Sequence, residues 1–303
     1  MKTTTRDDYL DRIRRVLRFV QQHLDEPLTP AVLAGVAHVS VYHFHRIFSG
    51  LVGESVSEHV RRLRLERAAG DLRRSDDQVI DIALRSGYEA HEPFTRAFRS
   101  HFGMPPAEYR RRREPVVFPP VVCGVHYGAD LSVSRFVPLE EGSHMIDVLI
   151  EPQPARRLFA LPHHGDHQAI GTTFDRLGAM AGSLGLLTPE TLFIGIYYDD
   201  PQVTPREELR SHACVTLPQP LDTLPEGAEV LNLDGGDFAI GVHRGPYADL
   251  PRSYDWLFSQ WLPSSGREAA DAPCHEIYVT DPQTTAEADL VTHVCVPLQP
   301  QRP

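Results

Sequence analysis

Two parts of this chain repeat themselves, at different periods and in different textures. A duplicated sequence folds as duplicated units, each burying its apolar face against its copy or its neighbour. In the first part, Phe44-His45-Arg46-Ile47-Phe48 and Phe94-Thr95-Arg96-Ala97-Phe98 match at an offset of 50, as do Gly53 and Gly103. Upstream, Leu33-Ala34 matches Ile82-Ala83 and His38 matches Gly87 at an offset of 49, so the one-residue difference falls in a turn. Each copy reads as helix, tight turn, helix. Gly87 supplies the left-handed backbone that such a turn favours, and histidine, which stands at the matching position 38, is enriched at positive φ. In the second part the period is about 80: Gly165 matches Gly245, Asp200-Pro201-Gln202 matches Asp281-Pro282-Gln283, and Cys214-Val215-Thr216-Leu217 matches Cys295-Val296-Pro297-Leu298.

Apolar periodicity fills in the elements. Leu10, Ile13, Val16, Leu17 and Val20 recur at three- and four-residue steps and predict a helix over 7–23. Thr29 followed by Pro30 opens another over 30–37. Further helices are expected at 40–51, 55–73, 78–86, 90–102 and 105–112. Strands are expected at 145–151, 156–163, 192–198, 210–217, 237–244, 274–280 and 290–297, with helices at 168–184 and 247–262. Residues 114–144, broken by Pro115, Pro119, Pro120 and Pro138, read as a connector with partial order. The expected fold class is multi-domain. It comprises an all-α double helix-turn-helix domain over 1–113, a linker over 114–144, and an α+β domain over 145–299 made of two pseudo-twofold strand-helix-strand-strand units.

The net charge of −11 hides an asymmetry. Residues 1–113 hold 20 Lys and Arg against 15 Asp and Glu, a balance of +5, whereas the remainder holds 10 against 26, a balance of −16. Nucleic acid is therefore expected at the first end only, since the acidic part is repelled by phosphates. No apolar run reaches the roughly 18–20 residues of a membrane helix, and the four cysteines form no CxxC pair. These features point to a reduced, cytoplasmic chain with no membrane partner.

Ser40-Val41-Tyr42-His43-Phe44-His45-Arg46-Ile47-Phe48, Gly87-Tyr88-Glu89 through Arg99, and Phe102-Gly103-Met104-Pro105-Pro106-Ala107-Glu108-Tyr109-Arg110 carry a resemblance. Residues 6–113 resemble the AraC/XylS family of transcription regulators, departing from its pattern at His38 and at Pro93, which is tolerated only in a helix's first turn. The resemblance implies two reading helices held about one duplex turn apart by the helix over 55–73. Arg46 and Arg96 then sit on the solvent side of the core pairs Phe44/Phe48 and Phe94/Phe98, where a bidentate arginine on guanine contributes about 1–3 kcal/mol of discrimination. Tyr42, His45, His91 and Glu92 complete the expected DNA-binding set. Arg61, Arg62, Arg64 and Arg67 read equally as phosphate contacts or as a solvated helix face, and Arg110 to Arg113 as a basic tail.

A second resemblance covers 145–299. Ile194 through Pro201, His243-Arg244-Gly245-Pro246-Tyr247, His275-Glu276-Ile277-Tyr278 and Thr292 through Leu298 are similar to the GyrI-like small-molecule-binding domain. Glu276 stands in an apolar strand with Ile277 and Val279 facing the other way, a costly place for a carboxylate unless a cation or hydrogen bonds compensate it. Family members bind cationic aromatic compounds with the matching acid, so the resemblance implies the same of Glu276. A period of 81 maps Tyr278 onto Tyr197 and Glu276 onto Gly195, placing two tyrosines beside the seam and room opposite the acid. Trp256 or Trp261 is expected to stack on the ligand by cation–π attraction, with plain core packing as the competing role.

His163-His164-Gly165-Asp166-His167 lacks a matching ligand set in the other repeat, so no metal is expected there, and no cofactor elsewhere. No nucleophile elbow, phosphate loop or metalloprotease signature occurs, so the chain is not expected to be an enzyme. The resemblances imply double-stranded DNA and a small drug-like effector as partners, and admit RNA polymerase as a further one. Two alternatives stay open for the second half: hydrolysis of reactive compounds by Glu276 and Tyr278, or protein binding like that of a gyrase inhibitor.

Overall fold

The structure is a computed structural model that describes residues 5–112, 115–130, 133, 135–139, 145–221 and 223–301. The expected domain boundaries at 113/114 and 144/145 fall on or beside residues outside that set, as does Arg113. The stripe Leu10, Ile13, Val16, Leu17, Val20 folds as helix α1 (Thr5–Gln22) with all five side chains buried. Thr29 caps α2 (Pro30–Ala37) by accepting from the Val32 amide, with Pro30 at the first position. Helix α3 spans Val41–Val52, and α4 (Val56–Arg74) opens with a reciprocal capping box between Ser55 and Glu58. The series closes with α5 (Val79–Arg85), α6 (His91–Phe102) and α7 (Pro106–Arg112). Pro93 falls in the first turn of α6, where its missing N–H costs no helical hydrogen bond.

Both tight turns adopt the expected backbone: Gly87 has φ +80°, and His38 has φ +53°, ψ +46°. Among the described residues His38 is the one non-glycine at positive φ. The left-handed conformation costs a side-chain-bearing residue roughly 1–2 kcal/mol, part of which glycine's greater unfolded-state entropy returns. His38→Gly is expected to raise stability by about 0.5–1 kcal/mol, read as the midpoint of urea unfolding.

The chain divides into two compact units. One comprises Asp7–His38 and Phe48–Glu140, the other Met1–Arg6, Val39–Ile47 and Glu141–Pro303. In the first, Leu65, Ala68, Ala69 and Leu72 of α4 pack with Ile82, Ala83, Phe94, Phe98 and Tyr109 in one core. The connector is anchored to this unit. Its backbone receives Arg62 Nη1 at the Val125 carbonyl (2.9 Å), while the Tyr127 amide donates to Glu66 Oε2 (2.7 Å) and the Gly128 amide to Gln21 Oε1 (3.0 Å). The arginines of α4 act locally: Arg64 donates to the Leu24 and Glu26 carbonyls, and Arg67 pairs with Asp25 and the Arg85 carbonyl. These three arginines brace loops instead of forming a solvated face.

The second unit carries an eight-stranded antiparallel sheet in the order β1-β6-β8-β7-β3-β4-β2-β5. The strands are β1 (Asp147–Gln153), β2 (Arg156–His164), β3 (Phe193–Tyr197), β4 (Arg210–Thr216), β5 (Glu229–Leu233), β6 (Gly236–Arg244), β7 (Cys274–Tyr278) and β8 (Val291–Pro297). Helix α8 (Gly171–Ser183) follows β2, and α9 (Leu250–Trp256), prolonged by a π turn over Leu257–Trp261, follows β6. Each half therefore has one strand more than the strand-helix-strand-strand unit, β1 expected from the sequence and β5 not, and these edge strands cross over: β1 pairs with β6 and β5 with β2. Both helices cover the sheet face that carries Phe159, Leu161 and Gly241, while Ile194, Ile196 and Ile277 point to the other face. No described helix is long and apolar enough to cross a membrane.

Candidate functional site

The two halves meet at β3 and β7, in the register Phe193↔Tyr278, Gly195↔Glu276, Tyr197↔Cys274. Gly195 and Glu276 are thus both strand partners and repeat equivalents, which places the pseudo-twofold axis between them. Period-two alternation turns Glu276 and Tyr278 to the helix-covered face. There a cavity of about 1060 Å³ opens over the central strands, with Glu276 in its wall. Both Asp-Pro-Gln triplets, Asp200-Pro201-Gln202 and Asp281-Pro282-Gln283, line it.

Glu276 is 4% exposed. Its Oε1 accepts from the Tyr254 hydroxyl (3.0 Å) and its Oε2 from the Tyr278 hydroxyl (2.9 Å). With the Tyr278 proton so committed, the Tyr197 hydroxyl donates to Tyr278 across 2.6 Å. Burial pushes the Glu276 carboxyl above the usual carboxylate range, against the opposing pull of the two phenols and of the Arg46 charge. Burial and the same carboxylate hold the three phenols well above their ordinary value, so they remain donors at neutral pH. Phe174 and Tyr247 meet the Tyr278 ring edge-on at 5.2 and 5.4 Å, completing an aromatic box around one carboxylate. Such a box attracts a delocalised cation by ring quadrupole and by net charge together.

Gly195 makes this arrangement possible. A Cβ there would lie 2.8 Å from Tyr197 Cε2, and 2.9 and 3.0 Å from the Tyr197 and Tyr278 hydroxyls. Gly195→Ala must displace the tyrosine pair, at an expected cost of about 1–3 kcal/mol in stability. A thermal melt equal to that of the parent chain would show that the pair has room to yield.

The sequence-selected residues Glu276, Tyr278 and Tyr197 come together in the cavity, whereas Trp256 and Trp261 do not line it. On α9 the cavity-facing positions are Leu250, Pro251, Tyr254 and Asp255, and the π turn carries Trp261 out of that register. Sequence reading missed Phe174, Tyr247 and Tyr254, although the period of 80 pairs Phe174 with Tyr254 and His167 with Tyr247, and all four line the cavity. The same offset relates His163, bonded to Thr173 Oγ1 (2.9 Å) and the Asp166 carbonyl (3.1 Å), to His243, bonded to Ser253 Oγ (2.8 Å) and the Pro246 carbonyl (3.1 Å). Both rings clamp a strand end to the helix that follows, which leaves neither nitrogen of His163 for a metal. Glu54, His59 and Cys123 also bring ligand-type atoms together, but the Glu54 oxygens already carry Arg62 at 2.6 and 3.1 Å.

The DNA-side candidates separate. On α6, His91, Glu92 and Arg96 are exposed on one surface. On α3, Tyr42 is half-buried, and His45 and Arg46 do not lie on the solvent side as the repeat suggests. His45 Nδ1 meets Asp200 Oδ2 at 3.1 Å. The Arg46 side chain, 13% exposed, reaches into the cavity, with Nε 3.7 Å from Asp200 Oδ2 and Cζ 4.0 Å from the centre of the Tyr254 ring. A carboxylate and an aromatic face thus hold the guanidinium on the inner side of α3.

The fold and the cavity define a class: helix-turn-helix elements joined to a duplicated α+β domain with an acidic aromatic hollow. The family model of the GyrI-like small molecule binding domain matches residues 147–299, and that of a helix-turn-helix domain matches 33–112. The chain belongs to the GyrI-like small molecule binding domain family, here carried with an AraC-type helix-turn-helix region. It is 38% identical over 102 residues to YbfP, an uncharacterized HTH-type transcriptional regulator of Bacillus subtilis (strain 168), covering 34% of this chain and 35% of that one. It is 36% identical over 132 residues to the transcriptional regulator Rob of Salmonella typhimurium (strain LT2), covering 43% and 45%. The chain thus spans less than half the length of these relatives. Among solved structures, the EcmrR C-terminal domain superposes with a TM-score of 0.46 at 14% identity, covering 52% of this chain and 99% of that one.

Proposed function

We propose that this chain is a sequence-specific DNA-binding transcription regulator whose GyrI-like domain binds a small cationic, aromatic, drug-like effector. The observation that carries the effector half is the buried carboxylate of Glu276, held by two phenols inside an aromatic cavity of about 1060 Å³ whose wall also carries Asp200 and Asp281. Glu276, Tyr278 and Tyr197 are the proposed ligand contacts, with Tyr254, Tyr247 and Phe174 added as ring faces. Each Glu276 oxygen already accepts a phenol proton, an arrangement that suits an anion awaiting a cation better than a base activating water.

DNA reading is assigned to His91, Glu92 and Arg96 on the exposed face of α6, and to Tyr42, His45 and Arg46 on α3 once His45 and Arg46 leave Asp200. The positive balance of residues 1–113 and the exposed face of α6 support it. Arg96→Ala is expected to weaken binding to the cognate duplex about tenfold or more. An unchanged affinity in a gel-shift titration removes Arg96 from the reading set. The effector half is tested by thermal shift with tetraphenylphosphonium, where a ligand at 100 times its Kd stabilises by about 2.7 kcal/mol. No shift at any concentration would defeat the assignment.

A further inference from the structure

The unit that contains the sheet also contains Val39–Ile47, the first half of the first reading helix. This segment is docked along one helical face. Ser40 Oγ donates to Asp271 Oδ1 (2.7 Å), and the His43 ring stacks on Phe258 (5.2 Å) with Nε2 at 3.2 Å from the Ala270 carbonyl. His45 meets Asp200, and Arg46 follows one turn after His43. Burial, and then the Arg46 charge, push the His43 imidazole down to about 4, so His43 docks neutral beside the charged Arg46. The guanidinium lies 4.0 Å from the centre of the Tyr254 ring and 5.7 Å from that of Phe258, and its charge acts on Glu276. A planar, delocalised cation is stacked on the same tyrosine that donates to the cavity's acid.

We infer that Arg46 is the resident cation of the effector cavity and that an incoming cation competes with it. While Arg46 occupies the stack over Tyr254, the α3 face of Ser40, His43 and Arg46 is held away from any duplex. An effector that takes the stack and the Glu276 charge displaces the guanidinium and releases that face. Effector binding and DNA reading by α3 are then linked, each favouring the other by the same factor. This rests on the proposed reading of the cavity as a cation site, and the test separates the two.

The full chain is titrated by calorimetry with tetraphenylphosphonium and with tetraphenylborate, its isosteric anion. Amide hydrogen exchange over 39–47 is measured alongside. Arg46→Gln is expected to bind the cation about tenfold more tightly than the parent chain, the gain when an arrangement populated about one part in ten becomes dominant. It should bind the anion no more tightly. Saturating the parent chain with the cation should speed exchange over 39–47. Equal or weaker cation binding by Arg46→Gln, with Glu276→Gln still losing the cation, overturns the inference and leaves the cation site standing. No preference for cation over anion in either chain overturns the site, and the inference with it. Should Arg46→Gln fail to fold, the exchange measurement decides alone: unchanged rates over 39–47 at saturating cation overturn the inference.

Discussion

Replacing Glu276 with glutamine is expected to weaken the binding of a bulky aromatic cation by about 2 kcal/mol or more, roughly thirtyfold, and at the same time to raise thermal stability. The amide keeps the volume and can still meet the Tyr254 and Tyr278 hydroxyls, but it removes the most deeply buried charge that a cation would neutralise in the cavity. The stability gain follows from the sign of the carboxyl's shift. Burial sets the folded-state pKa above the unfolded one, so folding disfavours the ionised form. That penalty is present in full above the folded pKa and fades as pH falls through it toward the ordinary value near 4.5. The melting temperature of Glu276→Gln should therefore exceed that of the parent chain at pH 7 to 8, with the gap closing in acid. Equal Kd by calorimetry, or a lower melting temperature at neutral pH, would refute the account of this acid.

Glu66→Ala should be the most damaging single change in the helical unit, at about 3–5 kcal/mol. Glu66 is fully buried, with Arg62 Nη1 at 3.0 Å, His126 Nδ1 at 2.9 Å and the Tyr127 amide at 2.7 Å. Removing it leaves the buried Arg62 with one of its two carboxylate partners and frees the connector at His126 and Tyr127. Glu54, on the other side of Arg62, sets the acid limit. Against the upward push of burial, hydrogen bonds from His59 and Arg62 hold its carboxyl down to about 2. Its stabilisation is in full force above the unfolded value near 4.5 and disappears as pH falls through about 2. Urea titrations of Glu66→Ala and Glu66→Gln measure the effect. A loss below about 1 kcal/mol for the alanine variant would mean that water takes over the Arg62 donors.

The repeats made much of this legible before any coordinates. Helix termini follow from apolar periodicity and capping residues, and the left-handed His38 and the meeting of Gly195 with Glu276 follow from offsets of 49 and 81, because duplicated units preserve backbone geometry more faithfully than side chains. Strand β5 was not visible: Glu229–Leu233 is short, and it pairs with a strand some 70 residues earlier. Neither tryptophan lines the cavity: Trp256 stands off the face of Leu250, Pro251, Tyr254 and Asp255, and for Trp261 a π turn adds a residue to the helical count, which no 3.6-residue periodicity anticipates. The inward course of Arg46 and the fastening of the connector depend on partners 60 to 210 residues away, chosen by charge and shape in the folded state.

A position lying on a twofold axis cannot be doubled without meeting its own image. Had both halves kept an acid at the place shared by Gly195 and Glu276, two anions would face each other across one strand spacing. Divergence at that spot avoids this repulsion, and it leaves a lopsided chamber inside a symmetrical shell. The buried acid belongs to one half, and the tyrosine pair fills the place of its image, so a guest with a single positive pole meets two unlike sides.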